Sequence, residues 1–534
     1  MIFETVAELK LATLTAGQLV STKGYTASGD GDAADYIVRT SQAVDGVKDH
    51  ALANGNVALL QEATAAYVSY QAASGPISDV QTALRELSLH VKDYGAVGDG
   101  VTDDTAALLA ACASGEVLYF GGAADNYRIT DALAITLTAD LHWTSDGATI
   151  TVDSAASIQR AVDITGAGFD VNIQGKLTID CDRKAFSGAY IYNNTSFADL
   201  RISQLYVRDC HRATTAFTGG DGIWVRGAWD KVALIDIDIR NVTMATGAGV
   251  LSSQGITGIT VSSAGIGLAP QQVDITRVHI DGVYSEDPTY QYDQDGLRIF
   301  TEEDTVGEPR LFEGSFLISG GDINNCGGRS IKSQMEHGVI DGVKFSRNST
   351  EVPEIVGNRL MPDIDFQVGG GIVSNCEFRY SSSTPDEVIN MSGSRQLAKY
   401  SHGTKVVNVN VSISGSGNLD RFCTVGQREQ DRFSVDISNV DITGSDTLVY
   451  FVGISGSNVN PDVECYVNIE NIRCAISNSA SSAFVWRTSS ADVAVYASGR
   501  NLVKTVGAAT ANFSGATNAG DFTSVLEGNN VRAA

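Results

Sequence analysis

From Ser196 onward, apolar or small residues recur at offsets 0, 2, 5, 7 and 10. Leu200, Ile202, Leu205, Val207 and Cys210 set the template, and Val232, Leu234, Ile237, Ile239 and Val242 match it. So do Val273, Ile275, Val278, Ile280, Val283 and then Phe316, Ile318, Gly321, Ile323, Cys326. Looser copies start at Gly338 and Gly371, and later ones at Val435 and Val467. The offsets describe two short strands, each alternating with period two, joined by a tight bend. One such unit cannot bury its own inner face, but a stack of units can. Phe316 and Gly338 are 22 residues apart, whereas Val273 and Phe316 are 43 apart, so loops of different length leave the same corner. The chain has 534 residues, too many for one ordinary domain but not for a solenoid that grows along an axis. With 55 Gly and only 8 Pro, many turns between regular strands are expected. The expectation is an all-β solenoid over residues 91–480.

The chain before the solenoid has a different rhythm. Residues 1–45 hold two short β segments around a Gly/Asp turn, which suggests a small β module. Residues 46–90 read as helical: Val57, Leu60, Ala63 and Tyr67 share a helical spacing, Ser74-Gly75-Pro76 stops the run, and Ser78 to Leu87 makes a second short helix. This is a neck between the module and the solenoid. At the junction, Gly95, Gly98 and Gly100 allow tight turns. Thr102 or Asp103 is a suitable N-cap for a helix from Thr105 to Ala113, with Gly115 as its stop. The spacing does not fit an EF-hand loop, and no Gly-Lys-Ser/Thr follows to make a phosphate loop. Asn418 to Gln430 breaks the repeat, and the polar, Gly-rich 481–534 is expected to cap the last rung or to join subunits.

Val91 to Asp104, with Val117, Tyr127 and Ile129 after it, resembles the opening of the pectate-lyase-like β-helix of phage tailspikes and related polysaccharide-degrading proteins. The resemblance implies a right-handed parallel β-helix whose first end is plugged by a short helix. It departs at Gly121 to Tyr127, where GGAADNY replaces the family's usual proline-glycine turn. Residues 1–45 resemble the small N-terminal module of some tailspikes. The same resemblance implies a homotrimer in the virion tail, attached to a tail or baseplate protein through residues 1–90. Its partner would be a bacterial surface polysaccharide, either capsule or O-antigen.

The 37 basic and 63 acidic residues leave a net charge of −26. This argues against nucleic acid and anionic membranes as partners, because both need a basic face. MIFETVAELK lacks the basic start and apolar core of a signal peptide, and no run of about eighteen apolar residues is present to insert in a membrane. The eight cysteines show no metal spacing, and several fall on inward positions of the repeat, so free buried thiols are expected. No cofactor or metal is called for.

A third strand completes each rung: Asp221–Val225, Ala248–Ser252, Asp295–Ile299 and Arg329–Ser333 align as four successive copies. In that alignment Ile223, Val250, Leu297 and Ile331 point in. Trp224, Arg226, Arg298, Phe300, Lys332 and Gln334 point out, and Asp221, Asp295 and Arg329 share a corner. Two rungs separate the aspartates, about 10 Å at the backbone, which suits the roughly 6.5–9.5 Å between the carboxyls of an inverting glycosidase. The same Asp-Gly pairs also suit plain turns. The insertion from Tyr284 to Leu311 brings Glu302, Glu303, Tyr290 and Tyr292 near this corner. Crowded carboxylates raise one another's pKa, as a general acid requires, and tyrosines stack on sugar faces. A solvated acidic loop or a calcium loop has the same composition. Lys332, Glu336 and His337 are further candidates. The expected reaction is glycoside hydrolysis by Asp221 and Asp295, with Glu302 or Glu303 as substitutes. Trp224, Arg226, Tyr290, Tyr292, Arg298, Arg329, Lys332, Glu336 and His337 would bind substrate. A lyase using His337 or Tyr292 as base, with Arg298, Arg329 or Lys332 neutralising a uronate, and a non-catalytic binding spike are the alternatives.

Overall fold

The computed structural model describes the chain except for residues 1, 17, 24–33, 41–49, 55, 61–88, 116, 216–218, 249–254, 266–267, 288–292, 301–311, 349–360, 368–369, 382–383, 393–402, 415–418, 428–431, 446–447, 449, 457–462, 477–482, 488–492, 506–511, 516–521, 527–531 and 534. The chain divides into two units, Met1–Leu89 and His90–Ala534.

The first unit is a five-stranded sheet with a short helix, Val6–Lys10, around a core that includes Val6, Leu9, Val20, Tyr36, Val38 and Ala58. It reaches beyond residue 45. Val57–Leu60 is a strand, antiparallel to Ala34–Arg39, and not the first turn of a helix. Val57 and Leu60 therefore take their places from a sheet, whose alternation a four-residue window cannot distinguish from helical spacing. Ala63, Tyr67 and Ser78 to Leu87, the rest of the expected helical neck, lie outside the described residues.

The second unit is a parallel β-helix. Its opening stretch forms a 3-10 turn, Val91–Tyr94, and a helix, Thr105–Cys112, whose Leu108, Ala111 and Cys112 join the solenoid's core. The N-cap position falls on Asp104, one residue later than expected. The Asp104 carboxylate instead accepts from the Val97 and Gly98 N–H groups at 2.6 and 3.1 Å, while Asp103 accepts from Thr105. These bonds hold the glycine turn against the helix it precedes.

Each rung then contributes strands that pair in parallel with those of the next. One sheet has thirteen strands in strict chain order, from Leu133–Thr136 to Asn512–Gly515. The other strands of each rung pair in the same way, up to Arg532–Ala533. Parallel pairing thus continues through 481–534, so this segment adds rungs to the stack. Arg421–Gln427, within the stretch that seemed to break the repeat, is a member of the thirteen-strand sheet.

The offsets have a backbone cause. Offset 4 is a left-handed residue: Gln204, Asp236, Arg277, Asn375, Asn408, Asn439 and Asn471 have φ between 53° and 59°. The step from 7 to 10 skips a second left-handed residue at offset 9, seen at Asp209, Asn241, Gly282 and Asn325. A left-handed residue reverses the strand's parity, so the inward position moves by one. At the first bend the last four side chains form a ladder. Asn408 donates to Asn375 at 3.1 Å, Asn439 to Asn408 at 2.9 Å and Asn471 to Asn439 at 2.9 Å. All eight cysteines are buried, and none forms a disulfide.

Candidate functional site

The thirteen-strand sheet carries the third strand of each rung, and its register corrects one alignment. Between Asp221–Gly227 and Gln294–Phe300 lies Ile256–Ser262; most of Ala248–Ser252, Val250 included, falls outside the described residues. Ile223, Ile259, Leu297 and Ile331 form the inward column.

Asp221 pairs with Thr257 and Thr257 with Asp295, so the two aspartates are two rungs apart at one corner. Both are buried, at 4% and 0% exposure, yet their carboxylates meet the groups of the outer face. Thr260 bonds to Asp221, and Arg329 Nη1 comes within 3.6 Å of Asp295 Oδ1, while the following glycines, Gly222 and Gly296, are the residues packed against the core side chains Ile239 and Ile323. Ser187, Asp221, Thr257 and Asp295 make one buried column, and each precedes a glycine: Gly188, Gly222, Gly258 and Gly296. A Cβ on Gly296 would sit 2.6 Å from Ile323 and 2.7 Å from the Ser330 carbonyl, and one on Gly258 would sit 2.5 Å from the Gly296 carbonyl. Close approach of the facing strands requires these glycines. Thr260 donates to the Asp221 carboxylate at 2.6 Å, and the Asp221 backbone N–H donates to the Ser187 hydroxyl at 3.0 Å. Burial pushes the Asp221 carboxyl above its ordinary pKa, against the bond from Thr260. Asp295 accepts the Arg329 N–H through Oδ1, and its Oδ2 is buried without a partner. Burial, and then the charge of Asp293, push the Asp295 carboxyl up.

The outward face carries the functional groups. Tyr190, Trp224, Thr260, Arg298, Lys332, Asp365 and Asn390 are register partners in one row across seven strands. Five rung steps separate Tyr190 from Asp365, about 24 Å at roughly 4.8 Å per step. The row has two halves. In the aromatic half, Tyr190 meets Trp224 edge-on with centroids 5.1 Å apart, and the Trp224 indole N–H donates to Ser262 at 2.8 Å. Arg160 lies over Tyr190 at 3.5 Å, and Arg226 over Tyr192 at 5.0 Å. In the ionic half, Arg329 donates through Nη1 to Asp293 at 2.9 Å and through Nε to Asp365 at 2.6 Å. Lys332 meets the other Asp293 oxygen at 2.8 Å, with Arg298 at 3.4 Å and its guanidinium over Phe300. Burial alone would raise the Asp293 carboxyl, but Lys332, Arg329 and Arg298 outweigh it and hold the group well below the usual carboxylate range.

Asp293 and Asp365 were not among the expected site residues. Asp293 precedes its strand by one residue, inside the run YDQDG, and Asp365 sits on the three-residue strand Ile364–Phe366. His337 lies on the following strand, paired with Ser315 and Gly370, and not in the thirteen-strand sheet. Glu336 lies on that strand too. Tyr290, Tyr292, Glu302 and Glu303 are outside the described residues. Among the described residues, no group of three or more His, Cys, Asp or Glu is arranged to hold a metal ion. None of the helices there is long and apolar enough to cross a membrane.

No family model matches the sequence, and no curated protein matches it significantly. Solved structures do align with it. The enzymatically active domain of tailspike protein 2 from bacteriophage CBA120 shares 12% identity over 88% of this chain and 57% of its own, with TM-score 0.35. The catalytic unit of a Streptomyces thermodiastaticus α-1,3-glucanase shares 13% identity over 89% of this chain and 72% of its own, with TM-score 0.33. The Streptococcus pneumoniae surface adhesin PfbA shares 14% identity over 82% of this chain and all of its own, with TM-score 0.38. The chain spans about half the length of the full tailspike protein 2, 51%. With scores this low, the likenesses decide nothing about the site, and its chemistry is read from its own residues.

Proposed function

We propose that the outward row of the thirteen-strand sheet binds a bacterial surface polysaccharide and cleaves it, the chain acting as a phage tailspike depolymerase. One observation carries this reading: an extended row joins aromatic rings to a partly exposed carboxylate, Asp293, paired with three cations. Aromatic faces with polar groups at their rim suit the mixed apolar and hydroxylated faces of a sugar. Glycoside hydrolysis is the reaction. Asp293, held ionised, activates the water or stabilises the positive charge on the sugar ring, and Glu302 or Glu303 supplies the acid. Asp221 and Asp295 lie buried at the same corner, bonded to Thr260 and to the Arg329 N–H. The homotrimer, the tail location and attachment through residues 1–90 belong to the same reading, and their support is the resemblance of Val91 to Asp104.

The test is incubation with purified surface polysaccharides of candidate hosts, followed by mass analysis of the fragments. Fragments with new reducing ends are expected. Asp293→Asn should slow their release about 100-fold or more, and either Glu302→Gln or Glu303→Gln should do the same. Release unchanged in Asp293→Asn would remove this carboxylate from the chemistry. The three cations around one carboxylate also suit elimination from a uronate. In that case the fragments carry an unsaturated sugar that absorbs in the ultraviolet.

A further inference from the structure

Among the described residues the inside of the β-helix is mostly apolar, and behind Arg329 it holds a buried ionic group. There, Arg347 and Tyr380 occupy register-paired inward positions on Lys344–Arg347 and Glu377–Tyr380, in the column where the next rung has Ile413. Asp363 reaches the same place from the start of its strand. All three are buried, at 4% exposure or less. Arg347 donates to Asp363 through Nε at 3.2 Å and Nη2 at 2.9 Å, and Tyr380 donates its hydroxyl to the other Asp363 oxygen.

A buried ion pair is costly, and replacing one with apolar groups of similar volume is often neutral or stabilising. Its presence here needs a reason other than stability. The contacts supply one. Arg347 donates through Nη2 to the Gly328 carbonyl at 2.9 Å, and the Asp363 carboxylate accepts the Ser330 hydroxyl at 2.7 Å. The Ile331 N–H goes to the Asp363 carbonyl at 2.7 Å. From the neighbouring rung, Asp295 Oδ1 accepts the Arg329 N–H, and the Gly296 and Leu297 N–H groups donate to the Arg329 and Ser330 carbonyls at 2.8 Å. The backbone on both sides of Arg329 is therefore clamped between the buried trio and the neighbouring rung. The Arg329 side chain leaves this clamp outward, to Asp293 and Asp365.

We propose that Arg347, Asp363 and Tyr380 are positioning residues: a buried polar prop that fixes Gly328–Ile331 so that the Arg329 guanidinium meets Asp293 and Asp365 on the outer face. For its effect on a glycan, the prop rests on the function proposed above; for its effect on Arg329, it does not. An apolar core at this point would leave the Gly328 carbonyl and the Ser330 hydroxyl without partners, and the corner would relax toward others.

The discriminating variant is Arg347→Met with Asp363→Leu, which removes both charges together. It should fold and keep a thermal midpoint close to that of the parent. Its crystal structure should show Arg329 displaced, with the 2.6 Å contact to Asp365 lost. With Arg329 gone, Asp293 keeps only Lys332 and Arg298, its carboxyl titrates at higher pH, and the acid limb of polysaccharide cleavage moves up in pH. Tyr380→Phe, which removes one hydroxyl, should move that limb in the same direction by less, and it serves if the double variant fails to fold. Arg329 unmoved in the crystal structure, with the acid limb in place, would overturn the prop. Arg329 displaced while host polysaccharide is processed at the parent's rate and pH dependence would leave the prop standing and sink the proposed role of the outer face.

Discussion

Two columns run along the same solenoid and are built on opposite rules. At the first bend, Asn375, Asn408, Asn439 and Asn471 are chemically identical and each bonds to the one before. On the outer face, Tyr190, Trp224, Thr260, Arg298, Lys332 and Asp365 follow one another at the same spacing, and no two neighbours are the same residue. At the bend the only partner is the next rung. A carboxamide both donates and accepts, so it stacks on copies of itself, whereas a carboxylate stacked on itself would repel. Where Asp236 does occupy the bend, Arg277 follows it and takes both its oxygens. Variation along the outer row fits a surface whose partner comes from outside the stack.

The contrast is open to attack. The largest expected effect is at the glycine column: Gly296→Val should lower stability by about 3 kcal/mol or more, because its side chain meets Ile323 and a backbone carbonyl. Soluble yield and thermal unfolding are the measurements, and a variant of parent stability would mean that the corner is loosely packed. Next comes the ladder. Asn439→Ala should cost about 2 kcal/mol, from two side-chain bonds and a left-handed backbone that alanine resists, and Asn439→Gly about half of that. Hydrogen exchange over residues 404–476 would read the difference. Equal costs for Ala and Gly would show that the bonds, not the backbone, matter at the bend.

The smallest effect is a pH slope. The folded Asp293 carboxyl titrates below its unfolded value, so its stabilisation is present above about pH 4 and lost as pH falls below that. Asp293→Asn should flatten the acid side of the stability curve. Asp295 is shifted the other way, so its ionisation destabilises the fold as pH rises above the ordinary carboxylate range, and Asp295→Asn should remove that loss. Acid titration of the thermal midpoint in the two variants should give slopes of opposite sign; the same sign in both would show that the two carboxyls share one environment.

The inward columns were legible because burial repeats: Ile239, Ile280 and Ile323 meet the same neighbours on every rung. The bends were legible as offsets, since a left-handed residue shifts parity wherever it falls. Rung assignment was less so. AGVLS and ITGITVS both alternate small and apolar residues, and only the glycine column, Gly222 over Gly258 over Gly296, separates them. The site divides in the same way. Trp224, Arg226, Arg298 and Lys332 were visible from parity on regular strands, and Arg329 from its place at the corner. Asp365 stands on a strand too short to show a period. Asp293 and Asp295 are two residues apart in one ionic cluster around Arg329, and only depth of burial, beside the close packing of Gly296 on Ile323 and Ser330, tells the partly exposed carboxylate from the buried one. Val57 and Leu60 teach the converse, since a four-residue strand reads equally well as a helical turn.

The eight buried cysteines have a consequence for the chemistry of the folded chain. Burial pushes the thiols of Cys112 and Cys465 up to about 12 and that of Cys376 to about 11. Oxidants and alkylating reagents attack the thiolate, which is almost absent at neutral pH at such values. In a folded copy these three thiols are therefore slow to react. Any rung that opens exposes a thiol of ordinary reactivity, so the cysteines spread along the stack work as clocks that record where and how often the solenoid breathes.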